Sequence, residues 1–226
     1  MDSCRCIAVL EASSGMDVEA AQAAWRADDP FAGLASEGVN RYVRGFAVGT
    51  DEPALTRRGR IGVAHLWMES EAAALALNRR LRAGEFHKDH PVLGSARIIA
   101  LPVAKRYHLG EADDYARTPL RAVFLVKRRD DLTPQQFHRH WREVHGPMLI
   151  GQDGITSYAQ QHRLYDSYDE GGPNFDGVAE LSFPDEAGFR AFATCEPHAA
   201  NQNADLPNLF DLTAGKRFFS REEAIF

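Results

Sequence analysis

A β-α-β-β-α-β order can be read twice along this 226-residue chain, and that duplication restricts the fold more than any single motif does. In the second half, Arg121–Lys127 (RAVFLVK) is a β-rich run followed by a turn at Arg128–Asp131. Thr133 then caps a helix, with Pro134 at its first position and Gln136 at the capping-box position. The pattern predicts that this helix runs to about His145 and stops at Gly146-Pro147. Ile155–Leu164 and Gly177–Phe183 read as strands separated by a Gly/Pro/Asn turn. Asp185–Thr194 reads as a helix, with Phe189, Phe192 and Ala193 at helical spacing. Glu196 to about Pro207 reads as a polar loop, and a last strand lies near Lys216–Glu223.

The first half repeats the order. Its strands are Arg5–Glu11, Val39–Val48, Arg60–Trp67 and Arg97–His108, its helices Asp17–Trp25 and Ser70–Arg82, with a charged loop at Thr50–Arg58. In both halves the first and third strands begin about 55 residues apart. Such a half forms a ferredoxin-like unit, a four-stranded antiparallel sheet with helices on one face. Its bare face would be too large an apolar patch unless something covers it. Two halves in one chain can cover each other. The expectation is an α+β protein of two ferredoxin-like repeats packed sheet-to-sheet as a barrel-like pair, residues 1–109 and 120–226, joined by a linker at 110–119. The chain is then a monomer with intrachain pairing or a homodimer.

A net charge of −6 argues against the clustered basic surface that nucleic acid requires. No run approaches the roughly 18 apolar residues of a membrane span, and the start MDSCRCIAVLEASSG is too short and too polar for a signal peptide. These features point to a cytoplasmic protein that binds neither nucleic acid nor membrane. Cys4, Cys6 and Cys195 are an odd number, so reduced thiols are expected. Cys4 and Cys6 share one face of a strand and read as packing groups, because no second ligand pair accompanies them. The absence of a P-loop, a G-x-G-x-x-G turn, a G-x-S-x-G elbow and an H-E-x-x-H helix argues against nucleotide-driven, nicotinamide and serine-hydrolase chemistry.

The densest reactive stretch is Phe137–Pro147, FHRHWREVHGP. On an ideal α-helix Phe137, Trp141, Val144 and Met148 form the buried stripe. His140 falls about 60 degrees to one side, and His138 and His145 about 80–100 degrees to the other. His138 and His140 are then too far apart in angle to share one ion, so no metal site is expected. His145 at the helix end suits a general acid or base, its pKa lifted by the macrodipole; a plain C-capping role fits the same position. His140 either lines a cavity or hydrogen-bonds in the core, and His138 reads as surface. On the second strand Tyr158 and His162 share a face, His162 reading as exposed. Phe124 on the first strand offers an aromatic wall. His87 and His90 in the first half, and His198 in the second, read as helix-end turns.

The run Val126–Arg129 followed by Leu132–Pro147 resembles the signature of the EthD-domain family. The likeness is specific there and extends more loosely to Glu223. The first half keeps only Ala24-Trp25-Arg26-Ala27-Asp28-Asp29-Pro30, with Ala24 where His140 stands, and is a degenerate copy. The resemblance implies the dimeric α/β-barrel superfamily. It also implies small, mostly cofactor-free enzymes acting on aromatic or polyketide-like intermediates, alongside accessory proteins of degradation pathways. The wider superfamily holds monooxygenases and haem-binding enzymes, so reaction class stays open. Taken together, these readings favour a cofactor-free lyase, isomerase, dehydratase or cyclase. His145 and His140 are its catalytic residues, and Trp141, Tyr158, Phe124 and Met148 contact a small hydrophobic carbonyl compound. The alternatives are a non-catalytic ligand-binding protein and a haem-binding or monooxygenase relative.

Overall fold

A computed structural model describes residues 4–49, 59–110 and 120–226, without the side chain of His198. The linker expected at 110–119, Gly110 apart, and the loop Thr50–Arg58 lie outside the described residues. The strands are β1 (Cys4–Glu11), β2 (Val39–Val48), β3 (Arg60–Met68), β4 (Arg97–Leu109), β5 (Leu120–Val126), β6 (Ser157–Arg163), β7 (Gly177–Phe183) and β8 (Lys216–Ala224). The helices are α1 (Val18–Ala27), α2 (Glu71–Arg82), α3 (Pro134–His140), α4 (Glu186–Thr194) and α5 (His198–Leu209). Short polar side chains start four of them. Asp17, Ser70, Thr133 and Asp185 each accept a hydrogen bond from a backbone N–H of the first turn. At Thr133 the bond is reciprocated by Gln136, which completes the capping box.

The strands close into one barrel in the order β1-β3-β2-β8-β5-β7-β6-β4. Each half contributes four adjacent strands, β4-β1-β3-β2 and β6-β7-β5-β8. The seams are antiparallel pairs, β2 with β8 and β4 with β6. The barrel-like pair is present, but the halves join by hydrogen bonds edge to edge and not by packing one sheet face on the other, and closure leaves neither with an open edge. α5 is a second difference, a helix where a polar loop was expected.

Strand alternation sorts the side chains into two layers. Cys4, Cys6 and Ala8 of β1 point outwards beneath α2, where the Cys6 thiol donates to the Ala74 carbonyl at 2.9 Å. Ala122 of β5 with Ala179, Leu181 and Phe183 of β7 point outwards beneath the second-half helices. Inside the barrel, Ile7, Val9, Val63, Leu101, Val123, Val178 and Phe218 pack together. Beside them sits a fully buried charged cluster. Arg5 pairs with Glu180, Arg121 Nε donates to Glu222 at 2.8 Å, and His65 stands 3.6 Å from Glu180 and 3.9 Å from Glu222. Burial so far from water costs several kcal/mol per charge, on the order of what the mutual attraction returns. No helix among the described residues is long and apolar enough to cross a membrane.

Candidate active site

The segment after α3 does not continue as an ideal helix. Trp141–His145 forms a π turn in which the Gly146 N–H reaches back to the Trp141 carbonyl, and a 3-10 turn follows over Gly146–Leu149. The cause is a side chain inserted beside the ladder. Gln160 of β6 donates through Nε2 to the same Trp141 carbonyl at 2.6 Å. It comes so close because residue 146 is glycine; a Cβ there would stand 2.7 Å from Gln160 Nε2.

The extra residue in the turn changes which side chains meet. On an ideal helix His140 and His145 are about 140 degrees apart, whereas a five-residue hydrogen-bonded turn returns them to one side. Both bind Asp205 of α5. His140 Nε2 lies 2.9 Å from Oδ1 and His145 Nδ1 lies 3.0 Å from Oδ2. Since Nδ1 of His145 donates to the carboxylate, its Nε2 carries the lone pair. His145 is nearly buried, and desolvation holds its pKa below the ordinary imidazole value although Asp205 opposes this. The expected rise at a helix end does not occur, because the backbone turns on into Gly146–Leu149 and burial outweighs the partners. The imidazole is therefore neutral near pH 7.

His145 faces a cavity of about 490 Å³ between the outer face of the second-half sheet and the helices. Phe124, Ala179 and Leu181 form its floor, with Trp141, Leu149 and Tyr158 at one side. α4 contributes Phe189 and Phe192. α5 contributes Ala199, Gln202, Asn203 and Leu206, the i, i+3, i+4, i+7 face of a helix. Trp141 Nε1 donates to the Tyr158 hydroxyl at 3.2 Å, and burial raises the phenol pKa, so Tyr158 stays protonated.

Of the residues expected at the site, His145, Trp141, Tyr158 and Phe124 line this cavity. His140 stands behind His145, half-buried, joined to it through Asp205. Met148 is not among the lining residues; the 3-10 turn presents its neighbour Leu149 instead. Val144, expected in the buried stripe, is 44% exposed, again because the π turn rotates it outwards. His138 and His162 were expected at the surface and are both buried. Their Nδ1 atoms lie 2.8 Å apart, Trp141 stacks on His162, and Tyr165 and Tyr168 cover His138. Beyond them Tyr168 donates to Asp176 at 2.9 Å, and His162 Nε2 meets Gln160 Oε1 at 2.9 Å.

Asp205 escaped the sequence reading because Pro207 and the Asn/Gln content made its helix look like a loop. The apolar and amide positions 199, 202, 203 and 206 were the signal that could have found it. In the first half, Trp25 Nε1 donates to the Tyr42 hydroxyl at 3.3 Å, as Trp141 does to Tyr158. There Phe31 and Phe46 pack edge-on against the indole, and Asp29 binds both Trp25 and Tyr42. His90 accepts from the N–H groups of Val92 and Leu93, a turn role, while His87 is buried near the Ala96 carbonyl.

A comparison with curated proteins finds no match. Among solved structures the chain is similar to an anthrone oxidase-like protein, with TM-score 0.63 and 9% identity over 99% of this chain and 93% of the other. It is also similar to a protein of Lactobacillus acidophilus NCFM provisionally named a monooxygenase, with TM-score 0.52 and 10% identity over 100% and 95%. A haem-binding protein from Thermus thermophilus gives TM-score 0.50 and 9% identity over 98% and 92%. At such identities the likeness is one of fold. The family model of the EthD domain matches residues 129–213, the span that holds α3, the π turn and Asp205. Residues 129–213 thus match the EthD domain model, within a closed eight-stranded barrel that shares its fold with these solved structures.

Proposed function

We propose that the cavity is the active site of a cofactor-independent enzyme that moves protons on a small aromatic or polyketide-like carbonyl compound, in a lyase, isomerase, dehydratase or cyclase step. The observation that carries this is the His145–Asp205 pair at the wall of an aromatic-lined cavity. Asp205 fixes the tautomer in which His145 Nε2 is a base. With a substrate bound, Nε2 takes a proton from the carbon beside the carbonyl, and the C–H electron pair passes into an enolate. The Tyr158 O–H, held by Trp141, donates to that enolate oxygen, and the apolar walls keep water from competing. The imidazolium then returns its proton, either to another carbon, giving an isomer, or to a departing hydroxyl, giving water and an unsaturated product. No electron acceptor is needed.

His145→Ala should lower turnover by roughly 100-fold or more while the far-ultraviolet spectrum stays native. Turnover unchanged in that variant would reject the role of His145, whereas a wild-type chain that binds such compounds and turns none over is a non-catalytic ligand-binding protein, the second reading. Titration with haemin separates the third: a Soret band that depends on His145 would replace the acid–base reading with haem ligation.

A further inference from the structure

The charged residues around the cavity are lopsided. Arg60, Lys127, Lys216 and Arg217 line it, and Asp211 is its one lining carboxylate among the described residues. In a chain of net charge −6 this lining is mostly cationic. Most of these charges are engaged. Lys216 and Arg60 share Glu11, at 2.6 and 3.5 Å, and Lys127 reaches Asp130 at 3.1 Å. Asp211 accepts three bonds from Thr213 and Ala214 within its own turn.

Arg217 is the exception. It is exposed and makes no ion pair with a described residue. It stands opposite Phe124 in the β5–β8 register, on the face that forms the cavity floor. Exposed Leu212, Thr213 and Gly215 line the cavity beside it, so this end opens to solvent, whereas Trp141, His145 and Tyr158 are buried.

We propose that the ligand is an aromatic or polyketide-like carbonyl compound that also bears a carboxylate, and that Arg217 receives this carboxylate at the cavity mouth. The guanidinium offers two parallel N–H donors that match a carboxylate. The ring system then lies on Phe124 with its carbonyl towards Tyr158 and His145. This assignment names the substrate class for the reading above and rests on the same cavity, but binding alone tests it.

The probes are 2-naphthoate and anthracene-2-carboxylate, each against its uncharged carboxamide, with affinity measured calorimetrically on the full chain. The carboxylates should bind about tenfold more tightly than the amides. Arg217→Gln should abolish that preference without weakening the amides, and Arg217→Lys should keep part of it. Raising the salt concentration should shrink it, since the mouth is exposed. His145→Ala should retain the preference, so loss of turnover and loss of carboxylate selection are read separately. Equal affinity for acid and amide, a preference that survives Arg217→Gln, or no binding of either probe pair overturns the assignment.

Discussion

His145 and Asp205 are 60 residues apart in the chain and 3.0 Å apart in space, Nδ1 to Oδ2. The second carboxylate oxygen holds His140, so one acid fixes two imidazoles.

Asp205→Asn should lower kcat by about 10- to 100-fold by releasing the ring of His145 from its tautomer. The pH profile gives a sharper check. Asp205 raises the His145 pKa against the desolvation that lowers it. The acid limb of kcat/KM, where His145 becomes protonated and inactive, should therefore lie below about pH 6.5 in the wild type. It should move lower still in the variant. A limb that moves upwards would mean Asp205 is not the partner that matters.

Gly146→Ala puts a Cβ within 2.7 Å of Gln160 Nε2 and 3.1 Å of the Tyr107 ring. Gln160 must withdraw from the Trp141 carbonyl, and the π turn loses the donor beside it. A stability loss of about 1–3 kcal/mol is expected, with a larger fractional loss of activity than of folded protein. Thermal melting and single-turnover rates on the same sample separate the two effects.

The buried imidazoles make the fold acid-sensitive. Burial pushes His138 down to about 4, and His162 well below its ordinary value. In the unfolded chain both titrate near 6.5. Their contribution is thus complete above about pH 6.5 and is lost as pH falls towards 4, because the unfolded state takes up the protons first. For His138 the whole window is worth on the order of 3 kcal/mol. Urea unfolding at pH 7.5 and pH 5 should reveal the drop, and His138→Gln should flatten it; an unchanged slope in that variant would place the sensitivity elsewhere.

Removing Glu180 from the barrel interior leaves Arg5 and Arg121 with one fewer carboxylate at full burial. Glu180→Ala should cost about 3–5 kcal/mol in chemical denaturation. A cost under about 1 kcal/mol would mean that solvent reaches the cluster.

What could be read from the sequence was local. The cap at Thr133 with Gln136 and the strands β5 and β7 each depend on neighbours in the chain, and each is present. The rest depended on partners far away. A wheel with a fixed 100 degrees per residue cannot register a turn widened by Gln160, so it separated His140 from His145 and buried Val144. His138 looked peripheral because its cover, Tyr165 and Tyr168, comes from the turn after β6. The aromatic wall was visible as residue types, but Asp205 needed the helix that Pro207 disguised.

The intrachain seams at β2–β8 and β4–β6 release the two halves from symmetry. A barrel assembled from identical subunits must carry two equal sites, whereas here Asp29 binds Trp25 and Tyr42 in one half and Trp141 lines the cavity beside His145 in the other. Each half can accordingly diverge without a matching change in the other, so a substitution beside Trp141 leaves the surroundings of Trp25 as they were.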